Sequence, residues 1–363
     1  EIFDDMSEQA KLNKIDDGSR TKAINLKLKK DKKKGIFGKA YAGYGTNERY
    51  DAGITANFFK GAMQSSVIAK TNNTNNIGFT VNDMLGMFGS GGAMSGMGGM
   101  IRMAGGNFGG LNLGSTGSGI TSSTQLGFNY RDTWSPSIDI TGSYFYNTAE
   151  TNNLSSSLRQ TFAGDTTFFN DQLRNSFARN NNHRFNLNMI YRIDSMNSII
   201  YTPNISFQDS RNNSDDTSSL YLKVANTKEE QNESRTFNNG TGEGVNWTNN
   251  LIWRKRFARA GRTLSVSLTN TMNNSDRENY NIFNAKFNPR NVFNSTKADT
   301  KSYSGGFSYT EPLSRNKVME LNYSYSRNNS ASDRRTYNYN NTTGKYDLPD
   351  DTLTNNFQNF KVR

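Results

Sequence analysis

Apolar and polar residues alternate with a period of two along much of the chain. The run from Arg184 to Asp194 shows this most clearly. Phe185, Leu187, Met189, Tyr191 and Ile193 fall on one face; Arg184, Asn186, Asn188, Arg192 and Asp194 fall on the other, which only Ile190 interrupts. Successive side chains of a β-strand point to opposite faces, so the pattern predicts a strand with one apolar and one wet face. Ile138 to Tyr146, Leu264 to Leu268, Tyr303 to Tyr309 and Met319 to Tyr325 repeat it. The strands these runs predict are each about ten residues long, the length a tilted strand needs to cross a bilayer. The pattern predicts eleven strands, at approximately 36–45, 49–59, 62–71, 123–133, 137–147, 184–194, 198–208, 244–257, 262–273, 300–310 and 317–327, with a twelfth opening at about 356.

The connections alternate in length. Short turns fall near Phe59-Lys60-Gly61, Trp134-Ser135-Pro136, Asp194 to Asn197, Ala258 to Gly261 and Pro312 to Arg315. Between them lie long polar segments, roughly 72–122, 149–182, 209–240, 275–298 and 328–355, with 45–49 the one short exception on that side. Short turns on one side and long loops on the other describe a transmembrane antiparallel up-and-down β-barrel, an all-β fold. Phe59, Trp134, Tyr191, Tyr201, Trp253, Phe257 and Tyr309 cluster beside the short turns. A barrel places such aromatics at the membrane interface.

Composition narrows the classes further. Hydrophobic residues make up only 33% of 363 residues, while aromatics reach 12%. The mean hydropathy is -0.81. Aromatic content at this level argues against intrinsic disorder, and five prolines in all suit a strand-rich chain. There are no cysteines, which removes disulfides, thiol catalysis and Cys-based metal sites. The formal charge of +11 suits an anionic surface, but it is spread along the chain, and only Lys27 to Lys34 form a dense run. Nucleic acid is therefore not the expected partner. No stretch of about 18 apolar residues is present, and the acidic opening Glu1-Ile2-Phe3-Asp4-Asp5 does not read as a signal peptide.

Residues 1–60 carry a more specific pattern. Ile24-Asn25-Leu26 to Lys29-Lys30, the basic Lys32-Lys33-Lys34-Gly35, and then Gly38 to Thr46 resemble the junction of plug and barrel in TonB-dependent receptor-like outer-membrane proteins of the Bacteroidetes type. Beyond residue 60 the resemblance rests on strand rhythm alone. It implies residues 1–34 as the end of a plug with its basic linker, and residues 35–363 as the first part of a barrel of about 22 strands. It also implies the cell outer membrane, contact with its lipid, a TonB-type energising complex and a surface lipoprotein partner. The chain departs from the family pattern at both ends, lacking most of the plug and ending at Phe360-Lys361-Val362-Arg363 rather than on an aromatic. Twelve strands closing on themselves is the other barrel these residues allow.

The residues offer little chemistry. One histidine, His183, and no cysteine do not build a triad or a His-based metal site. Asp4-Asp5, Asp16-Asp17, Asp215-Asp216, Glu229-Glu230 and Asp350-Asp351 could bind Ca²⁺ in loops, but none has calcium-loop spacing, and solvated loop charge explains them as well. No cofactor and no catalytic residue is expected. The Gly-rich stretch within 73–122 holds Met84, Met87, Met94, Met97, Met100 and Met103. Thioethers there could capture a soft metal, form an adaptable apolar contact surface, or belong to a loop over the barrel mouth. Met94, Met97, Met100 and Met103, with Arg192 and Arg254 from the polar strand faces, are the candidate contacts for a ligand or partner.

Uptake through a plugged barrel is the leading expectation, with a peptide, glycan or siderophore as cargo. The alternatives are a non-transport barrel acting as scaffold for a surface or secretion assembly, and a soluble β-rich adhesin.

Overall fold

A computed structural model describes residues 2–6, 20–24, 34–77, 119–163, 166–224, 227–286, 288–314 and 317–362. Every regular element among them is a strand. Two short strands, β1 (Ile2–Met6) and β2 (Arg20–Ile24), pair with each other. There follow β3 (Lys34–Tyr44), β4 (Tyr50–Lys60), β5 (Met63–Asn72), β6 (Ile120–Ser135) and β7 (Ile138–Ala163). Next come β8 (Thr166–Arg192), β9 (Asn197–Val224), β10 (Thr227–Arg256) and β11 (Thr263–Ala285). The chain continues through β12 (Arg290–Ser314), β13 (Lys317–Asn340), β14 (Lys345–Pro349) and β15 (Asn355–Val362).

From β3 to β13 each strand pairs antiparallel with the next, and β14 and β15 both pair with β13. They meet it at Tyr337–Asn340 and at Arg327–Arg334, so together they fill a twelfth position. The product is one up-and-down antiparallel sheet of twelve positions. It is not closed: among the described residues β3 pairs only with β4, and the twelfth position only with β13.

The short turns lie where the alternation ends. Gly61 and Gly261 sit in two of them at φ of +66° and +83°, a region open to glycine because it has no Cβ. In the turn after β8 the Asp194 Oδ1 accepts the backbone N–H groups of Met196 and Asn197 at 2.6 and 2.7 Å. Pro203 stands in the middle of β9, where it can donate nothing to a ladder. There the pairing with β8 passes from Asn186↔Asn204 to Met189↔Tyr201 with no partners between.

The expected long loops at 149–182, 209–240, 275–298 and 328–355 require correction. The strands run on through these segments, so that β7 to β13 are each between 23 and 30 residues long. At ~3.3 Å per residue the longest reaches about 100 Å, roughly three times a membrane crossing. The physical reason is simple. Period-two alternation reports a difference between the two faces of a strand, and where both faces meet water nothing alternates. Polar cross-strand pairs hold these extensions instead: Glu150–Arg179 at 3.3 Å, Asp215–Arg235 at 2.5 Å and Asp276–Lys297 at 3.4 Å. The strand expected to open at about 356 is β15, which begins at Asn355, and the short β14 at Lys345–Pro349 precedes it within the expected loop. Of the segment 72–122, residues 78–118 lie outside the described residues, and so does the Asn25-to-Lys30 part of the plug-like pattern.

A close approach fixes three strands near one edge. Gly127 on β6 lies directly across from Ile68 on β5 and Phe145 on β7. A Cβ at Gly127 would stand 2.6 Å from Ile68 Cγ2 and 3.1 Å from the Phe145 ring. Ile68 is fully buried, and Phe145 nearly so. The two side chains fill the space the glycine leaves, the device by which aromatics offset strand glycines. Gly127→Ala should therefore destabilise the folded chain by about 1–3 kcal/mol, the cost typical of overpacking. Thermal unfolding in detergent would measure this, and Ile68→Ala in the same chain should recover part of it. Strictly additive losses would show that the three residues do not share this space.

Candidate functional site

The pairing register sorts side chains into rows across the sheet, and the two faces differ sharply. One row runs Ile138, Tyr191, Ile199, Trp253, Val266, Phe307 and Tyr323, all apolar or aromatic. None of these side chains is buried: four are half-exposed, Tyr323 is 60% exposed, and Leu268, two residues along from Val266, is 55% exposed. The other face is polar and crowded, with Gln125 at 1% and Asn182 at 3% exposure. Asn186 donates to Ser143 Oγ at 3.3 Å and accepts from Asn204, Ser66 donates to Asn57 at 2.7 Å, and Thr248 meets Thr271 at 3.3 Å. A water-soluble sheet buries its apolar face; this one buries the polar face.

The apolar belt crosses the rows at a slant. A single row reads Ala42, Ala52, Thr71, Thr124, Thr148, Asn181, Asp209, Glu243, Asp276, Lys297 and Asp333 from β3 to β13. It begins inside the belt, passes through hydroxyls and amides, and ends among charges. On β4 the belt tops out at Tyr50, two residues above this row; on β13 it tops out at Tyr325, eight residues below it. The edge thus descends by two plus eight residues over nine strand steps, about one residue per strand. With ~3.3 Å along a strand and ~4.8 Å between strands, the strands tilt against the belt by roughly 35°.

Of the seven aromatics expected beside the turns, Tyr191, Tyr201, Trp253 and Tyr309 point out from the apolar face by register; Trp134 donates to Tyr130 Oη at 3.1 Å, and the Phe257 ring lies edge-on to that of Tyr309 at 6.5 Å. Phe59 is the correction: its register partner Gln64 lies on the polar face, and its ring stacks on Phe37 at 5.3 Å. Polar handles within the belt find partners there. Asn249 Oδ1 accepts from Tyr201 Oη and Trp247 Nε1, both at 3.0 Å. His183 belongs to the upper rim of the belt, with its Nδ1 2.8 Å from Tyr144 Oη and its ring 4.8 Å from that of Tyr146.

Two of the six candidate contact residues come together. Arg192 and Arg254 flank Ser198 in one row of the polar face, near the short turns. Met94, Met97, Met100 and Met103 lie outside the described residues. A third guanidinium, Arg256, and an apolar row of Ile190, Ile200 and Ile252 adjoin the arginines. Sequence reasoning passed over these four residues, although the interruption at Ile190 was their signal. Of the acidic pairs, Asp215 binds Arg235, Asp216 binds Arg174, and Asp350 caps its own turn through Thr352. Among the described residues no three His, Cys, Asp or Glu side chains converge on a common point.

The short-turn side carries one strong charged hub. Glu311 accepts from Arg262 at 2.6 and 2.8 Å, from Arg259 at 2.8 Å and from Tyr309 Oη at 2.6 Å. The Arg262 hydrogen bonds, then that of Tyr309, hold its carboxyl down at about 2, against an ordinary 4.5. A depressed carboxylate stabilises the fold above its unfolded pKa and loses that contribution as pH falls through the folded one. Glu311→Gln should therefore be less stable than the parent by a constant margin above pH 4.5, and the margin should shrink as pH falls toward 2. Unfolding midpoints across pH would test this, and a margin that grows on acidification would contradict it.

Compared with family models, curated proteins and solved structures, the chain matches none, so its function is argued from the geometry of these two faces.

Proposed function

We propose that the chain is part of the wall of a β-barrel in the cell outer membrane, whose polar face lines a passage for ligand uptake. The exposed apolar belt is the observation that carries this reading. From Phe185 to Ile193 it spans the ~10 residues of a tilted crossing, and its slant of roughly 35° falls at the lower end of the 35–45° typical of transmembrane barrels. Lipid is the partner that suits such a surface, since an apolar band of this size is costly in water. The two sheet edges left unpaired among the described residues support the reading from another side. In hydrocarbon each unpaired backbone group costs several kcal/mol, so the wall needs further strands to close it. The resemblance to TonB-dependent receptor-like proteins supplies them in a barrel of about 22 strands around a plug, with a TonB-type complex as energy source and a surface lipoprotein as partner.

A second reading is favoured by the long hairpins. They continue well past the belt, and a tall polar wall offers area to a protein partner. On this reading the barrel is a scaffold for a surface assembly, and transport is not its task. Collapse of the proton-motive force separates the two, because uptake driven through a TonB-type partner stops and scaffold binding does not.

Leu268→Arg tests the belt directly. Its side chain sits midway down the belt on β11, between Met272 and Leu264. In a bilayer the substitution should cost about 2–4 kcal/mol, while Thr269→Arg on the polar face should cost far less. Denaturant titration of the protein refolded into lipid vesicles would measure both. In a water-soluble sheet an exposed leucine replaced by arginine changes stability by less than ~0.5 kcal/mol, and that result would sink the membrane reading.

A further inference from the structure

One place on the polar face brings aliphatic side chains and cations together. Ile190, Ile200 and Ile252 stand directly across from one another on β8, β9 and β10. Arg192, Ser198 and Arg254 form the next row on this face toward the short turns. Beside them opens a recess of about 330 Å³, lined in part by Ile190, Ile200, Arg192, Arg254 and Arg256. That volume lies at the lower end of the range for small-molecule sites.

The nearby carboxylates are already engaged. Asp194 accepts from the backbone of its own turn and, at 2.8 Å, from the Asn197 side chain. Asp139 accepts from Arg192 Nη2 at 2.5 Å and from Thr133 Oγ1 at 2.9 Å. Among the described residues that line the recess stand three arginines and one carboxylate, Asp194. Lys70, Arg131 and Arg184 extend the same sign of charge along this face, by register with Gln125, Thr141 and Ser206. A planar guanidinium presents paired N–H donors that match the two oxygens of a carboxylate. An aliphatic wall beside it excludes water and strengthens the pairing.

We infer that this recess binds an aliphatic carboxylate, with the acid group between Arg254 and Arg256 and the hydrocarbon against Ile190 and Ile200. A peptide C-terminus with an aliphatic last residue and a free short-chain fatty acid share this chemistry. The inference rests on the reading that the polar face lines a passage, and it adds the class of ligand that passes.

The test uses the full-length protein in lipid nanodiscs and three probes, followed by calorimetry: Ala-Ala-Ile with a free C-terminus, the same tripeptide as its C-terminal amide, and hexanoate. The free-acid peptide should bind at least about tenfold more tightly than the amide, the loss expected for one charge-assisted pair. Added salt should weaken only the acids. Arg254→Gln should remove most of the difference, and Ile200→Ser should weaken hexanoate. Hexanoate binding as tightly as the peptide would identify the fatty acid as the source and still support the site. Equal affinity of acid and amide for the parent protein overturns the inference whatever the variants do. Electrophoresis of the same samples, boiled and unboiled, separates the two levels. A shift on boiling with no acid preference sinks this site alone, whereas no shift in the parent overturns the passage reading and this inference together.

Discussion

The continuous antiparallel ladder is the constraint on which the molecule depends. Across β3 to β13 the register advances with few shifts, at Glu230/Asn232, Thr133/Ser135 and Pro312/Ser314. Side-chain direction in a strand has a period of two, so a slip of one residue would turn a whole strand inside out. Holding register over strands of up to 30 residues keeps Trp253, Val266, Phe307 and Tyr323 on one side and Asn186, Asn204 and Thr248 on the other. The shifts at 133/135 and 312/314 lie beside short turns, and the one at 230/232 lies near the far tip of β10, so none crosses the slanting belt.

The ladder also explains how so polar a chain holds together. Among the described residues few aliphatic side chains are buried, Ile68, Ile140 and Val292 being among them. The usual hydrophobic core is replaced by backbone pairing, by polar ladders on the crowded face and by cross-strand ion pairs beyond the belt. Exposed pairs such as Asp276–Lys297 each contribute little. The Glu311 hub differs, because one carboxylate with 13% of its side chain exposed engages two arginines and a tyrosine. It ties the turn after β10 to the end of β12, skipping the strand between.

What the sequence made legible follows from the same physics. Strand positions and turns could be read wherever the faces differ, as from Arg184 to Asp194, because alternation records that difference. The extensions at 209–240 and 275–298 carry no such record in their polar residues, so the sequence predicts loops there, and the pairing of Phe237 with Asp215 and Ile282, or of Tyr280 with Phe293, reveals the strands. Phe59 was read by proximity to a turn, and register sends it to the opposite face. The arginine recess was half legible. Arg192 and Arg254 stood out by charge, whereas the alignment of Ile200 and Ile252 with Ile190 required three strands to be placed side by side.

The order of pairing carries a consequence for how such a wall changes over generations. Among the described residues every strand from β3 to β12 pairs only with its neighbours in the chain. Adding or losing one hairpin among them would therefore rebuild one seam of pairing and leave the other backbone ladders as they are. The width of the sheet is thus a quantity that duplication could adjust in steps of two strands.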